Sequence, residues 1–333
     1  MQLFSPHKIL KRYPLSKKNK NFIYYSRKKA KKIYFQKTKK IILFVGPCSI
    51  HDKDSALEYA KKLNIFSKKV KKNFFIIMRF FYEKARSSIG WKGFLYDPNI
   101  KKGIEETRKL MLRLTELKIP LASEILDPNL KYYFEDLLTW GFIGSRSSTS
   151  QIHRQIASSF SFPIGIKNCL NGDIKTSIDS IISAQSKHSY ISISKKGKIS
   201  SFNSSGNIYS HIVLRGSEKK PNFYPQIIKN FLKEIEKRKI YSPLVIDAAH
   251  GNSKKNLKNQ KECFKKIIYQ IPKNKKIIGI MIESFLKRGN QKIYKKKTIN
   301  KKKSITDPCL GWKETTKLIF WANNYLLNNY FNN

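Results

Sequence analysis

Ile41-Ile42-Leu43-Phe44-Val45-Gly46-Pro47-Cys48-Ser49-Ile50-His51-Asp52 carries an apolar run into a Gly-Pro break and then a lone cysteine. A short apolar run bounded by a turn signal reads as a strand buried on both faces. Enzymes built on parallel sheets place their chemistry at the exits of such strands. Three more segments end in the same manner. Val245-Ile246-Asp247-Ala248-Ala249-His250 ends on an imidazole, and Ile278-Gly279-Ile280-Met281-Ile282-Glu283 ends on a carboxylate. Ser304-Ile305-Thr306-Asp307 adds an aspartate. Cys48, His250, Glu283 and Asp307 form a mixed S/N/O set suited to one divalent metal. Thiolate with imidazole suits zinc, iron, cobalt or copper, and the carboxylates extend the range to manganese. A mixed set leaves a position for water or substrate, so it reads as catalytic rather than structural.

Outward from this stretch the chain alternates. Strands are predicted at 41–45, 74–80, 121–126, 142–146, 164–167, 190–194, 244–247 and 277–282. Helical patterns lie between them at 55–66, 104–117, 131–140, 222–239 and 255–270. Such alternation fits a (β/α)8 TIM barrel, with a doubly wound open sheet as the alternative. Reactive and charged residues at the ends of many strands favour the barrel, since only a closed barrel gathers every exit at one mouth. Residues 1–40 are basic and irregular, with Pro6 and Pro14 as breakers and a helix at 24–35. They read as a short N-terminal extension to a barrel domain at 41–333. Two connections are long, 195–216 and 285–311, the second carrying Lys295-Lys296-Lys297. Loops of that length are usually functional or mobile.

The formal net charge is +46, a value that suggests a nucleic-acid partner. The excess, however, is lysine dispersed over the whole chain. Asparagine, isoleucine, tyrosine, phenylalanine and serine are also plentiful, and A/T-rich coding accounts for all of them. The lysines therefore read as solvated surface, and no specific nucleic-acid partner is expected. Arginine is scarce, so arginines near strand ends carry more weight. Arg79, Arg86, Arg146 and Arg215, with Lys84 and Lys167, imply a small substrate bearing more than one anionic group. No apolar run reaches the length of a membrane span and no signal peptide is recognisable. The four cysteines form no C-x-x-C pair, which suggests a reducing compartment. A cytoplasmic protein is expected. P-loop, dinucleotide-glycine and nucleophile-elbow motifs are lacking.

At these residues the chain resembles the class I 3-deoxy-D-arabino-heptulosonate 7-phosphate (DAHP) synthases, in particular the enteric, amino-acid-regulated type. The resemblance covers nearly the whole chain. It is carried by the 46–52 heptapeptide, by Glu83-Lys84-Ala85-Arg86-Ser87 and by Gly90-Trp91-Lys92-Gly93. Ser150-Gln151-Ile152-His153-Arg154, Gly165-Ile166-Lys167-Asn168, Leu214-Arg215-Gly216 and Ser304-Ile305-Thr306-Asp307 followed by Gly311-Trp312 complete it. It implies a metal-dependent condensation of phosphoenolpyruvate with erythrose 4-phosphate, on a (β/α)8 barrel, as the first step of the shikimate pathway. Matched by position, the metal ligands are again Cys48, His250, Glu283 and Asp307. Phosphoenolpyruvate would meet Arg79, Lys84, Arg146, Lys167 and Arg215, and the aldose phosphate Arg86 and Ser87. Lys84, Glu124 and His250 are the implied catalytic groups. Lys84 is the candidate proton donor, with a pKa expected to be lowered by clustered cations.

Some departures stand out. The family's lysine-proline-arginine-threonine is Lys84-Ala85-Arg86-Ser87 here, Lys196 stands where a tryptophan is usual, and Asp247-Ala248-Ala249 precedes His250. Relatives form dimers or tetramers, so a homo-oligomer is expected. Regulated relatives sense aromatic amino acids through an N-terminal extension and a surface cavity. This chain begins later, and its loop Asp127-Pro128-Asn129-Leu130-Lys131 differs from theirs, so weak or absent inhibition is expected. Cys309 stands two residues after Asp307 and is either a packing residue or a disulfide partner for Cys48. The nearest rival is the 3-deoxy-8-phosphooctulonate synthase that uses arabinose 5-phosphate. That group inserts an asparagine between the loop's alanine and arginine, whereas Ala85 and Arg86 are adjacent here.

Overall fold

The computed structural model describes residues 2–293 and 299–331. Two helices, α1 (Pro6–Arg12) and α2 (Lys17–Tyr34), precede β1 (Ile41–Gly46). The chain continues as α3 (Lys53–Lys69), β2 (Phe74–Arg79), α4 (Ile100–Glu116), β3 (Leu121–Glu124), α5 (Lys131–Phe134), β4 (Trp140–Ile143), α6 (Gln151–Ser158), β5 (Ile164–Lys167) and α7 (Ile174–Gln185). A hairpin follows, β6 (His188–Ile193) with β7 (Ile199–Ser204), and then β8 (Ser210–Leu214). The remaining elements are α8 (Pro225–Lys237), β9 (Leu244–Asp247), α9 (His250–Ser253), α10 (Leu257–Gln270), β10 (Ile277–Glu283) and α11 (Trp312–Leu326). The strands close into a barrel in the order β1-β10-β9-β8-β5-β4-β3-β2, every pair parallel.

Strand periodicity sorts the side chains into two cores. In β1, Ile41, Leu43 and Val45 face the helices, while Ile42 and Phe44 join the lumen cluster with Phe75, Ile77, Trp140 and Phe142. The lumen is tightly filled: a Cβ added to Gly165 would stand 2.8 Å from Phe142 Cδ1. Continued by two residues, the inward positions become charged. Phe75 and Ile77 lead to Arg79, Ala122 to Glu124, Val213 to Arg215, Val245 to Asp247 and Met281 to Glu283. Apolar burial drives the lower part of each strand, and the upper part opens on a polar mouth.

The structure corrects several sequence expectations. Residues 190–194 do not form the sixth barrel strand. They belong to the antiparallel β6–β7 ribbon, which forms a separate sheet. The sixth barrel strand is β8, inside what read as a long connection. The ribbon's burial alternates residue by residue whereas β8 is buried throughout, and that is the mark of a strand between two packed layers. The fourth strand ends at Ile143, so Arg146 lies beyond it in a loop. The predicted helix at 131–140 shrinks to α5, and Trp140 opens β4.

The N-terminal segment holds two helices, the expected one at 24–35 starting earlier as α2 and α1 standing where an irregular stretch was expected. Pro6 takes the first turn of α1, where its missing N–H costs nothing, and Ser5 caps that helix. Ala30, Ile33 and Tyr34 of α2 enter the lumen cluster. The Tyr34 hydroxyl donates within reach of the carbonyls of Ile208, at 3.0 Å, and Ser210, at 3.2 Å. The end of α2 thus closes the barrel floor. The lysine run 295–297 lies among residues outside the described ones. Among the described residues no helix is long and apolar enough to cross a membrane.

Candidate active site

The mouth is a cleft of about 220 Å³ lined by Cys48, Arg79, Lys84, Arg86, Ser87, Glu124, Arg146, Lys167, Arg215, His250 and Asp307 among others. Cys48 follows β1 and Glu283 closes β10, strands paired so that Gly46 stands opposite Glu283. Asp307 comes from the long loop after β10, held by Ser304 Oγ donating to its carbonyl at 2.8 Å. Ligand atoms of Cys48, Glu283 and Asp307 all lie within 4.8 Å of one another. His250 stands beside them, its Nε2 3.5 Å from Glu283 Oε1. It takes a left-handed conformation, with φ of 52°, a strained geometry that functional sites retain.

This donor set fits a cation. Lys84 Nζ already sits 2.8 Å from the Cys48 sulfur and 3.1 Å from Asp307 Oδ2. Burying a thiol and two carboxyls side by side is costly unless positive charge joins them. Burial, then the charge of Glu283, pushes the Cys48 thiol up to about 11, with Lys84 opposing. Burial would also raise Asp307, but Lys84 and Lys255 hold it well below the usual carboxylate range.

The expected lowering of the Lys84 pKa is overturned. Burial does pull it down, but Cys48, Asp307 and Glu283 outweigh burial and raise it. The loop faces this ammonium with anions, whereas the sequence alone offered only its cationic neighbours. The loop itself is pinned at its base: Lys84 N–H donates to the Lys92 carbonyl at 2.8 Å. Gly93 returns the chain at φ 128°, where a Cβ would stand 2.3 Å from the Tyr82 carbonyl oxygen.

On the other side of the cleft the cations gather. Arg79 is fully buried and donates to Glu283 Oε1 at 2.9 Å. Lys167 Nζ lies 3.6 Å from Asp247 and 4.0 Å from Glu124. Burial lowers the Arg215 pKa, Asp247 opposes it and neighbouring Arg146 adds to the lowering. Arg146 Nε donates to Ser87 Oγ at 2.9 Å, so groups assigned to the two substrates touch directly. Arg86 Nε donates to the Trp91 carbonyl at 2.9 Å.

Sequence reasoning missed three members of this mouth. Asp247 lies 2.8 Å from His250 Nδ1 and near Lys167, joining both halves of the cleft. An aspartate closing an apolar strand three residues before His250 was the available signal. Lys255 Nζ bonds Asp307 Oδ1 at 2.7 Å, and one lysine among so many gave no signal. Glu83 is buried, accepts from Tyr96 at 3.0 Å and is pushed up to about 8 by burial. It anchors its own loop, accepting also from the Asp127 N–H at 3.4 Å. Cys309 lies against Cys48, whose N–H points to its sulfur at 3.4 Å, and both thiols are free.

A closed barrel, a soft-and-hard metal donor set and a row of buried cations define an enzyme acting on small polyanions. The DAHP synthetase I family model matches residues 15–319, and the chain belongs to that family. The Trp-sensitive phospho-2-dehydro-3-deoxyheptonate aldolase of Escherichia coli K12 is 38% identical over 95% of this chain and 93% of its own length. The enzyme of that name from Buchnera aphidicola subsp. Schizaphis graminum is 36% identical over 95% of this chain and 93% of its own. The solved phospho-2-dehydro-3-deoxyheptonate aldolase of Francisella tularensis SCHU S4 superposes with a TM-score of 0.95, at 38% identity, over 97% of this chain and 96% of that one. Members of the family catalyse the first step of aromatic biosynthesis, and this chain is an enzyme of that class.

Proposed function

We propose that this chain condenses phosphoenolpyruvate with erythrose 4-phosphate at the described mouth, releasing phosphate and forming the seven-carbon acid phosphate. One observation supports the assignment of roles: Cys48 and Asp307 of the Cys48–Glu283–Asp307 donor set line the same cleft as the cationic row. Arg79, Arg146, Lys167 and Arg215 neutralise the carboxylate and phosphate of phosphoenolpyruvate, bidentately where guanidinium allows. Arg86 and Ser87 take the phosphate of the aldose. Cys48, Glu283 and Asp307, with His250 beside them, would hold one divalent ion, manganese, iron, cobalt or zinc. Such an ion supplies Lewis acidity toward the aldehyde oxygen.

Carbon 3 of phosphoenolpyruvate attacks the aldehyde, and positive charge builds at carbon 2. Glu124, 4.0 Å from Lys167, stabilises that charge. Lys84 keeps its proton among Cys48, Asp307 and Glu283 and delivers it to the developing alkoxide. Water then adds at carbon 2 and phosphate leaves. A homo-oligomer, dimer or tetramer, belongs to the same reading. The outward face of the β6–β7 ribbon, which exposes Ile191 and Ile199, supports it, and light scattering tests it.

The decisive assay is phosphate release from phosphoenolpyruvate with erythrose 4-phosphate and, separately, arabinose 5-phosphate. Each is run before and after chelation and metal add-back. Turnover with the four-carbon sugar alone, lost on chelation and restored by metal, is expected. Preference for arabinose 5-phosphate, or indifference to chelation, refutes the reading.

A further inference from the structure

We infer that Asn168, Asn222 and Asn252 form a positioning cluster that sets Arg215 and the His250 turn in one register, coupling the phosphoenolpyruvate cations to the metal donors. The three residues lie in the segments that follow β5, β8 and β9, Asn222 just before α8 and Asn252 within α9. Asn168 Oδ1 accepts from the Arg215 N–H at 2.8 Å and from Asn222 Nδ2 at 3.0 Å. Its Nδ2 donates to the carbonyls of Cys169 and Gly216, both at 2.9 Å. Every hydrogen-bonding position of this buried amide is used.

Asn222 passes the constraint onward. Its Oδ1 accepts from the Gly216 N–H at 2.7 Å, and its own N–H donates to Asn252 Oδ1 at 2.7 Å. Asn252 in turn donates to the carbonyls of Leu214, at 3.1 Å, and Asp247, at 2.9 Å. Its N–H donates to the Arg215 carbonyl at 3.0 Å. Gly216, at φ 76°, lets the two loops meet: a Cβ there would stand 2.5 Å from Asn252 N. The backbone on both sides of Arg215 is thereby fixed by amides that also fix the residues around His250. A fully satisfied buried network is rigid and transmits displacement.

Asn252 is the informative position, because its side chain bonds both loops and lines no part of the cleft. The inference rests on the proposed substrate and metal, so the probes are phosphoenolpyruvate and manganese chloride. Each is titrated calorimetrically into the metal-stripped full-length protein. Asn252→Ala removes the side-chain bonds to Asn222, Leu214 and Asp247, and Asn252→Leu removes them while keeping volume and neutrality. Loss of second-layer support is expected to weaken manganese binding by about 10-fold. Loss of Arg215 placement is expected to weaken phosphoenolpyruvate binding by about 5-fold. Thermal melts confirm that each variant folds, and either variant alone suffices for the test. Weakening of both ligands in one folded variant supports the coupling. Weakening of one ligand only, or of neither, overturns it. Failure of the unaltered protein to bind either probe would instead remove the functional reading beneath it.

Discussion

The two ends of one barrel lumen differ completely, although the same strands build both. At the floor, Tyr34, Trp140 and His211 pack edge to face, with ring centroids 5.0 Å apart for Trp140–His211 and 5.8 Å for Tyr34–His211. At the mouth, two residues further along the inward positions, Arg79, Glu124, Lys167, Asp247 and Glu283 pair with one another. Apolar surface removed from water holds the floor. The mouth is held by mutual charge, and it is stable only while each charge keeps a partner. Stability and chemistry are therefore separated along the barrel axis.

The largest test of that separation is Cys48→Ala. Activity should fall by about 1000-fold or more, roughly 4 kcal/mol of transition-state stabilisation, while the melting temperature moves little. Phosphate release and calorimetry read the two. The converse is Tyr34→Ala at the floor. It should cost roughly 3–5 kcal/mol in denaturant unfolding and leave kcat within about 2-fold. A large loss of kcat at full folding would show the ends to be coupled.

Next comes Lys84→Met, expected to lower kcat by about 100-fold with little change in the KM for phosphoenolpyruvate. Unchanged kcat would remove the proton-donor role. The remaining test is a pair of opposite pH slopes. Glu83 at the mouth is raised from 4.5 to about 8, so it binds more protons folded than unfolded. Its contribution is present below pH 4.5 and is lost as pH rises toward about 8. His211 at the floor is lowered by burial from 6.5 to about 4. Its neutral packing is favoured above pH 6.5 and lost as pH falls toward about 4. Unfolding free energies of Glu83→Gln and His211→Leu, measured across pH, should each flatten one side of the profile.

Much of this was legible in the chain. The strand ending at Cys48, the imidazole after β9 and the carboxylate closing β10 all announced themselves as chemistry placed after an apolar run. Seven of the eight barrel strands were found for the same reason. The sixth was missed because β6 carries β-branched and aromatic residues as good as those of β8, and propensity does not say which of two strands enters the barrel.

Local pattern determined the elements, their inward and outward faces and the residue types at each exit. Those follow from backbone periodicity and apolar burial, which act over a few residues. Only the tertiary structure decided that α2 closes the floor, that Lys255 grips Asp307 and that Lys84 stands among anions. Ion pairing and pKa depend on which distant groups share a buried volume, and the closed barrel alone brings residues 84, 255 and 307 together.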